Sequence, residues 1–190
     1  MIISISGTPG SGKSTVAKML VEKLGLVRLY AGGALRELAL KKGITIEAIL
    51  EQAKTNTSID IELDEMISSK AKEIEKSGEN VVAEGRTQFH FIPDSIKIFV
   101  KVDITEGASR IFKDLQDTKT TKERNEDAVK SLQETIDKVQ KREQEDRQRY
   151  IDLYKIDYLN EKNYDFVIDT TNISAQEATN KVIEFVKSKQ

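Results

Sequence analysis

Gly7-Thr8-Pro9-Gly10-Ser11-Gly12-Lys13-Ser14-Thr15 follows directly on Ile2-Ile3-Ser4-Ile5-Ser6. The apolar run reads as a strand, and a glycine, four residues, then Gly-Lys-Ser is the spacing of a phosphate-binding loop. Glycines at 7, 10 and 12 admit backbone angles closed to other residues, so successive N–H groups can converge on a polyphosphate. Val16, Met19, Leu20 and Leu24 then recur at helical spacing. The positive end of that helix would face the same phosphates. Lys13 suits the β- and γ-phosphates as a point charge, and the Ser14 hydroxyl suits a magnesium ion. A plain glycine-rich turn would need none of these three parts in register. Together they imply a nucleoside triphosphate site over residues 7–15.

Composition bounds the remainder. A chain of 190 residues suits one domain with a small inserted subdomain. Charged residues make up 33%, yet the net charge is only −2, so no overall field favours nucleic acid. The absence of cysteine excludes disulfides and thiolate metal sites. No apolar run approaches the roughly 20 residues that span a bilayer. An opening strand leaves no space for a signal peptide, and a soluble cytoplasmic protein is expected.

Gly25 is expected to cap the first helix, followed by a strand over 26–30. Ala31-Gly32-Gly33 reads as a break before a helix over 34–41, with Arg36 in its first turn near the strand's carboxyl end. Thr45 can cap a short helix over 46–53. After a polar loop at 54–58, Ile59, Leu63, Ile67 and Ala71 recur at steps of four and predict an amphipathic helix over 59–76. Asp60 and Asp64 share one face of it, either solvated or placed to hydrogen-bond a nucleobase.

Val81-Val82-Ala83 predicts a buried strand ending in Glu84-Gly85-Arg86. There Glu84 could hold a magnesium ion's water ligands, and Arg86 offers a forked phosphate donor. The plainer reading is a strand-ending turn with surface charges. His90, flanked by phenylalanines and without a partner for a metal, reads as a packed or half-buried ring. A strand over 96–102 precedes a helix over 106–115, capped by Thr105 and carrying Arg110. Residues 116–127 lack periodicity and read as a mobile surface segment. Val129, Leu132, Ile136 and Val139 then form an apolar seam. Beyond it Arg142, Asp146 and Arg149 share a stripe bordering that seam, where they either pair with one another or face a cleft. A last strand over 164–169, the Thr170-Thr171-Asn172 loop and a Ser174/Glu177 capping box before a helix over 175–187 complete a five-stranded, mostly parallel α/β sheet.

Taken together, these stretches resemble the nucleoside monophosphate kinases, and most closely the cytidylate kinases of the short archaeal type. The likeness runs nearly end to end, through residues 7–15, Ala31-Gly32 with Arg36, Glu84-Gly85-Arg86, the Arg-x-x-x-Asp-x-x-Arg run from Arg142 to Arg149, Tyr154-Lys155-Ile156-Asp157 and Ile168-Asp169-Thr170-Thr171. It implies a P-loop NTPase core in a single domain over 1–190, an acceptor-binding helical insertion over about 36–78 and a lid over about 116–127. It also implies a donor site at Gly7, Thr8, Pro9, Gly10, Ser11, Gly12, Lys13, Ser14 and Thr15, with Arg110, Thr170 and Thr171 near the donor adenosine. Arg36 and Arg86 would hold the acceptor's phosphate, with Asp60 and Asp64 in the acceptor site. Lys13, Arg142 and Arg149 would act on the transferred group, and Asp146 would orient the arginines or the acceptor. Mg2+ would bind at Ser14 and, through water, at Glu84.

The expected reaction moves the γ-phosphoryl of Mg-ATP to a pyrimidine nucleoside monophosphate, CMP or dCMP. The alternatives are another small acceptor (AMP, UMP or a metabolite) and a non-catalytic P-loop regulatory protein that uses the long charged helix as a partner surface. A monomer is expected, with ATP and a nucleoside monophosphate as partners and neither nucleic acid nor membrane. Glu65-Met66-Ile67, Thr87-Gln88-Phe89-His90 and Ala31 depart from the family pattern, and they lie where the acceptor base would bind.

Overall fold

The structure is a computed structural model, and it describes residues 1–116, 129 and 131–189. Its five strands are β1 (Ile2–Gly7), β2 (Val27–Tyr30), β3 (Val81–Glu84), β4 (Ile96–Lys101) and β5 (Phe166–Asp169). They form one sheet in the order β2-β3-β1-β4-β5, and every neighbouring pair is parallel. The register sets Ile3 beside Val82 on one flank of β1 and beside Ile96 on the other.

Parallel strands need long crossovers, and helices supply them. Helix α1 (Lys13–Leu24) joins β1 to β2. Helices α2 (Ala31–Lys41), α3 (Ile46–Thr55) and α4 (Ser58–Lys76) lie between β2 and β3. A single turn, α5 (Gln88–Phe91), precedes β4; α6 (Ile104–Gln116) and α7 (Leu132–Tyr154) precede β5, and α8 (Ala175–Ser188) closes the chain. Alternation along β1 explains the layers. Ile3 and Ile5 pack with Val16, Leu20 and Val182 of α1 and α8. Ile2 points the other way, into a cluster with Leu29, Ile67 and Ala71 under α4. Full burial of each such side chain contributes about 1.5–3 kcal/mol. The chain leaves β1 for one edge, returns to β3, then crosses to β4, so connections diverge above the carboxyl end of β1. That is the crevice where open α/β sheets bind ligands.

Most expected elements stand within a few residues of their predicted limits, and the exceptions have physical causes. Ala31-Gly32-Gly33 does not break the chain; α2 begins at Ala31, directly after β2. Helix α6 is capped by Asp103 rather than Thr105, since Asp103 Oδ1 accepts from the N–H groups of Thr105 and Glu106 at 2.9 and 3.2 Å. Val129 lies ahead of α7, whose N-cap is Ser131, and Leu132 is exposed, so the buried stripe runs instead through Thr135, Val139, Asp146 and Tyr150. Thr45, Gly25 and the Ser174/Glu177 box cap their helices as expected. Of the expected lid, 117–127 falls outside the described residues. No helix among the described residues is long and apolar enough to cross a membrane.

Candidate active site

The loop after β1 is shaped by contacts only glycine allows. A Cβ on Gly7 would lie 2.1 Å from the Val100 carbonyl oxygen, so Gly7 is required by a close approach and not by an unusual backbone angle. Gly10 and Gly12 do adopt left-handed angles, φ 73° and 79°, and Gly12 is the N-cap of α1. The loop is pinned from outside by Thr170, whose hydroxyl donates to the Ser11 carbonyl at 2.9 Å. Arg110 ties down the same segment, donating to the Thr170 carbonyl at 2.8 Å.

Beside the loop, β3 ends in Glu84, which is fully buried. Lys13 Nζ lies 2.7 Å from Glu84 Oε1, and the Ser14 hydroxyl donates to the same oxygen. Arg28, from β2, donates to Oε2 through Nε at 3.1 Å and also through Nη2. Burial would raise this carboxyl, but Lys13, Ser14 and Arg28 hold it below the usual carboxylate range. Next along the wall stands Tyr30, with the Arg28 guanidinium 4.5 Å, the Arg36 guanidinium 5.9 Å and Lys13 Nζ 6.0 Å from its ring centroid. Arg36 Nη1 donates to its hydroxyl at 2.5 Å. Burial works against ionisation of this phenol, yet Arg36 and Lys13 bring its pKa below the ordinary value.

A second charged group is assembled from α7, α4 and the segment after β3. Asp146 of α7 is 1% exposed. Its Oδ2 pairs with Arg86 at 2.9 Å, beyond β3, and its Oδ1 pairs with Arg149 at 2.9 Å. Arg149 also pairs with Asp60 of α4 at 2.9 Å, and Arg142 Nε lies 4.0 Å from Asp146. Burial raises the Asp146 carboxyl, and the three arginines more than reverse it, leaving the group below its ordinary value. Asp60 is raised, because burial and the Asp146 charge outweigh Arg149.

Most of these groups border one cleft of about 900 Å³. Residues 7–15, Arg36, Asp60, Asp64, Arg86, Arg110, Arg142, Arg149 and Thr170 all border it. Glu84, Asp146 and Thr171 do not; Glu84 and Asp146 sit behind the cations they hold, and the Thr171 hydroxyl instead donates to Asp169 at 2.6 Å. Asp60 and Asp64 are buried, which removes the solvated-face reading of that pair.

Comparisons with known proteins agree on the kind of molecule. A family described as an AAA domain matches residues 3–131. The chain is 35% identical to a cytidylate kinase of Archaeoglobus fulgidus across all of this chain and 97% of that one. It is also 34% identical to an S-adenosylmethionine-dependent nucleotide dehydratase of Lacinutrix mariniflava, over 96% of this chain but only 35% of that longer protein. The chain belongs to the cytidylate kinase-like nucleoside monophosphate kinases. A shikimate kinase from Acinetobacter baumannii, solved with shikimate, shares the fold of this kinase at a TM-score of 0.57 and 18% identity, covering 100% of this chain and 94% of that one.

Several residues that shape the cleft of this kinase escaped the sequence reading. Arg28 looked like one more strand residue, though its position two before the end of β2 puts it diagonally beside Glu84. Tyr30 was legible only through its neighbours: a Cβ on Gly33 would lie 2.5 Å from the Tyr30 ring, so those glycines seat a side chain. His90 is exposed, not packed, and rests edge-on to Phe91 with ring centroids 5.3 Å apart. It also stacks on Tyr154 of α7, with ring centroids 6.2 Å apart.

Proposed function

We propose that this nucleoside monophosphate kinase moves the γ-phosphoryl group of Mg-ATP onto CMP or dCMP. The observation that carries this reading is that one cleft is lined both by Lys13 with the loop and by Arg36, Arg86, Arg142 and Arg149. The archaeal cytidylate kinases among its relatives support the pyrimidine. Lys13 and the loop N–H groups hold the donor's β- and γ-phosphates, with Arg110 and the Thr170-Thr171 loop toward its adenosine. Arg36 and Arg86 hold the acceptor phosphate, with the base toward Asp60 and Asp64 inside the insertion over 36–78. Arg142 and Arg149 stabilise charge on the group in flight, and Asp146 orients them. No general base is needed, since an acceptor phosphate is already an anionic nucleophile.

The donor set fits magnesium. Ser14 offers a hydroxyl and Glu84 a carboxylate, and among the described residues no cluster of three or more acidic or histidine side chains could cage an ion. Magnesium bound to nucleotide keeps several waters and needs only one or two protein groups. When bound it neutralises charge on the phosphates. The protein works as a cytoplasmic monomer on ATP and a nucleoside monophosphate, with neither nucleic acid nor membrane as a partner.

The test is ADP release measured across all ribo- and deoxyribonucleoside monophosphates. CMP should stimulate most and dCMP next, with purines weakest. A strong preference for UMP would replace the cytosine assignment, a strong preference for AMP would replace the pyrimidine assignment, and no stimulation by any monophosphate would overturn the reading.

A further inference from the structure

We propose that Arg28 is a positioning residue for the donor site: it keeps Glu84 charge-balanced so that Lys13 and Ser14 can be given up to an incoming triphosphate. The inference rests on the reading of Lys13 as a triphosphate ligand.

The geometry divides one buried carboxylate between two kinds of partner. Oε1 carries Lys13 and Ser14, the two groups a nucleotide and its metal require. Oε2 carries Arg28, which does not border the cleft. Register explains the reach. Arg28 pairs with Val82 and Tyr30 pairs with Glu84, so Arg28 approaches the carboxylate from one step back on the same face of the sheet. The guanidinium is held from its other side by the Tyr30 ring at 4.5 Å, an arrangement that suits the flat, delocalised cation of arginine.

Consider the same site with Lys13 as the sole counter-charge. A phosphate that drew Lys13 away would strand a fully buried carboxylate, and removing one partner of a buried pair is strongly unfavourable. That penalty would be subtracted from nucleotide affinity. With Arg28 on the opposite oxygen, the carboxylate keeps a charge-assisted partner throughout, and Lys13 can exchange Glu84 for phosphate at small cost. Arg28 thus acts on the nucleotide only through Glu84.

Calorimetric titration of the full chain with Mg-ATP tests this, using Arg28→Met, Arg28→Gln and Arg28→Lys, each alone and with Glu84→Gln. Arg28→Gln keeps a hydrogen-bond donor and drops the charge, so it decides the matter if Arg28→Met folds poorly. The expected result is a loss of Mg-ATP affinity of roughly tenfold or more in both neutral variants. The acceptor KM should stay within about twofold and Arg28→Lys should recover part of the loss, as a charge of the right sign with poorer geometry. With Glu84→Gln present, the Arg28 changes should add nothing, because a neutral side chain leaves no stranded charge. Wild-type affinity in both neutral variants, or equal losses with and without Glu84→Gln, would overturn the inference. Lys13→Ala separates the two levels. If it binds Mg-ATP like wild type, the donor-site reading falls and this inference with it. If it binds poorly while the Arg28 variants bind normally, only this inference falls.

Discussion

Tyr154, the last residue of α7, donates its hydroxyl to Oδ2 of Asp64 in α4 at 3.1 Å. The other carboxylate oxygen accepts from Thr87 Oγ1 at 2.6 Å and Gln88 Nε2 at 2.9 Å. One side chain therefore fastens the helix carrying Arg142 and Arg149 to the helix under the acceptor side of the cleft, and both to the segment after Arg86. No cation is among these partners, so burial dominates, and the carboxyl is pushed up to about 6.

That shift sets a pH dependence of stability with a definite sign. Between the ordinary 3.8 and about 6, the folded chain keeps a proton that the unfolded chain has released. The contribution of Asp64 is therefore greatest below pH 4 and falls as pH rises to 6, by about 3 kcal/mol in all. Asp64→Asn should abolish this term. In urea unfolding at pH 4 and pH 7.5, the variant's stability relative to wild type should improve at the higher pH by about that amount. A constant difference would mean the group titrates normally.

Lys13→Ala should nearly abolish turnover and leave the fold intact. Lys13 borders the cleft and contributes no apolar packing, while Glu84 keeps Arg28 as a counter-charge when the ammonium is gone. Circular dichroism and steady-state ADP release on the same preparation make the comparison. Near wild-type turnover would remove the loop from the mechanism.

Tyr30→Phe should raise the KM for the monophosphate and barely alter the KM for ATP. The ring still seats on Gly33, but Arg36 loses the hydroxyl that fixes its approach to the cleft. A hydrogen bond to a charged group contributes about 1.5–3 kcal/mol, which is roughly 10–150-fold in KM. Arg36→Ala should raise the same constant at least as far. A change confined to the KM for ATP would put both residues on the donor.

Arg142→Ala and Arg149→Ala should each lower single-turnover transfer by at least ~100-fold with both substrates saturating, since an arginine at the transferred group contributes on the order of 10³–10⁵. The two should differ in stability. Arg149 is nearly buried and pairs with both Asp60 and Asp146, whereas Arg142 stands at the cleft edge, 4.0 Å from Asp146. Thermal unfolding should therefore fall clearly for Arg149→Ala and little for Arg142→Ala. Transfer within about threefold of wild type in both would make this helix an ion-pair surface rather than part of the active site.

What could be read in advance was whatever a local pattern encodes. The loop over 7–15, the apolar run before it and the acid-glycine-arginine end of β3 are short-range signals, and they meet at the cleft. The charged stripe on α7 was legible as a pattern but not as a structure, because Asp146 is held by Arg86, which lies sixty residues earlier in the chain. Arg28 and Tyr30 carried no signal of their own; their significance depends on a strand pairing with β3 that periodicity cannot supply. The misplaced start of α2 has the same origin. Gly32 and Gly33 read as breakers, yet they lie inside a helix because a Tyr30 ring occupies the space their side chains would take.

The central place of β1 also dictates how this protein must be made. Strand β1 has no partner until β3 and β4 exist, and its paired residues there begin at Val81 and end at Val100. On a ribosome adding about 5–20 residues per second, Ile2, Ile3 and Ile5 wait roughly 4–16 s before the first of those partners is even polymerised. Every strand pairing is likewise non-local, so loop closure must precede any ladder. The chain thus carries an unpaired apolar strand until β3 has been added, and the close approach of Gly7 to Val100 in the nucleotide loop cannot form before β4 has been made.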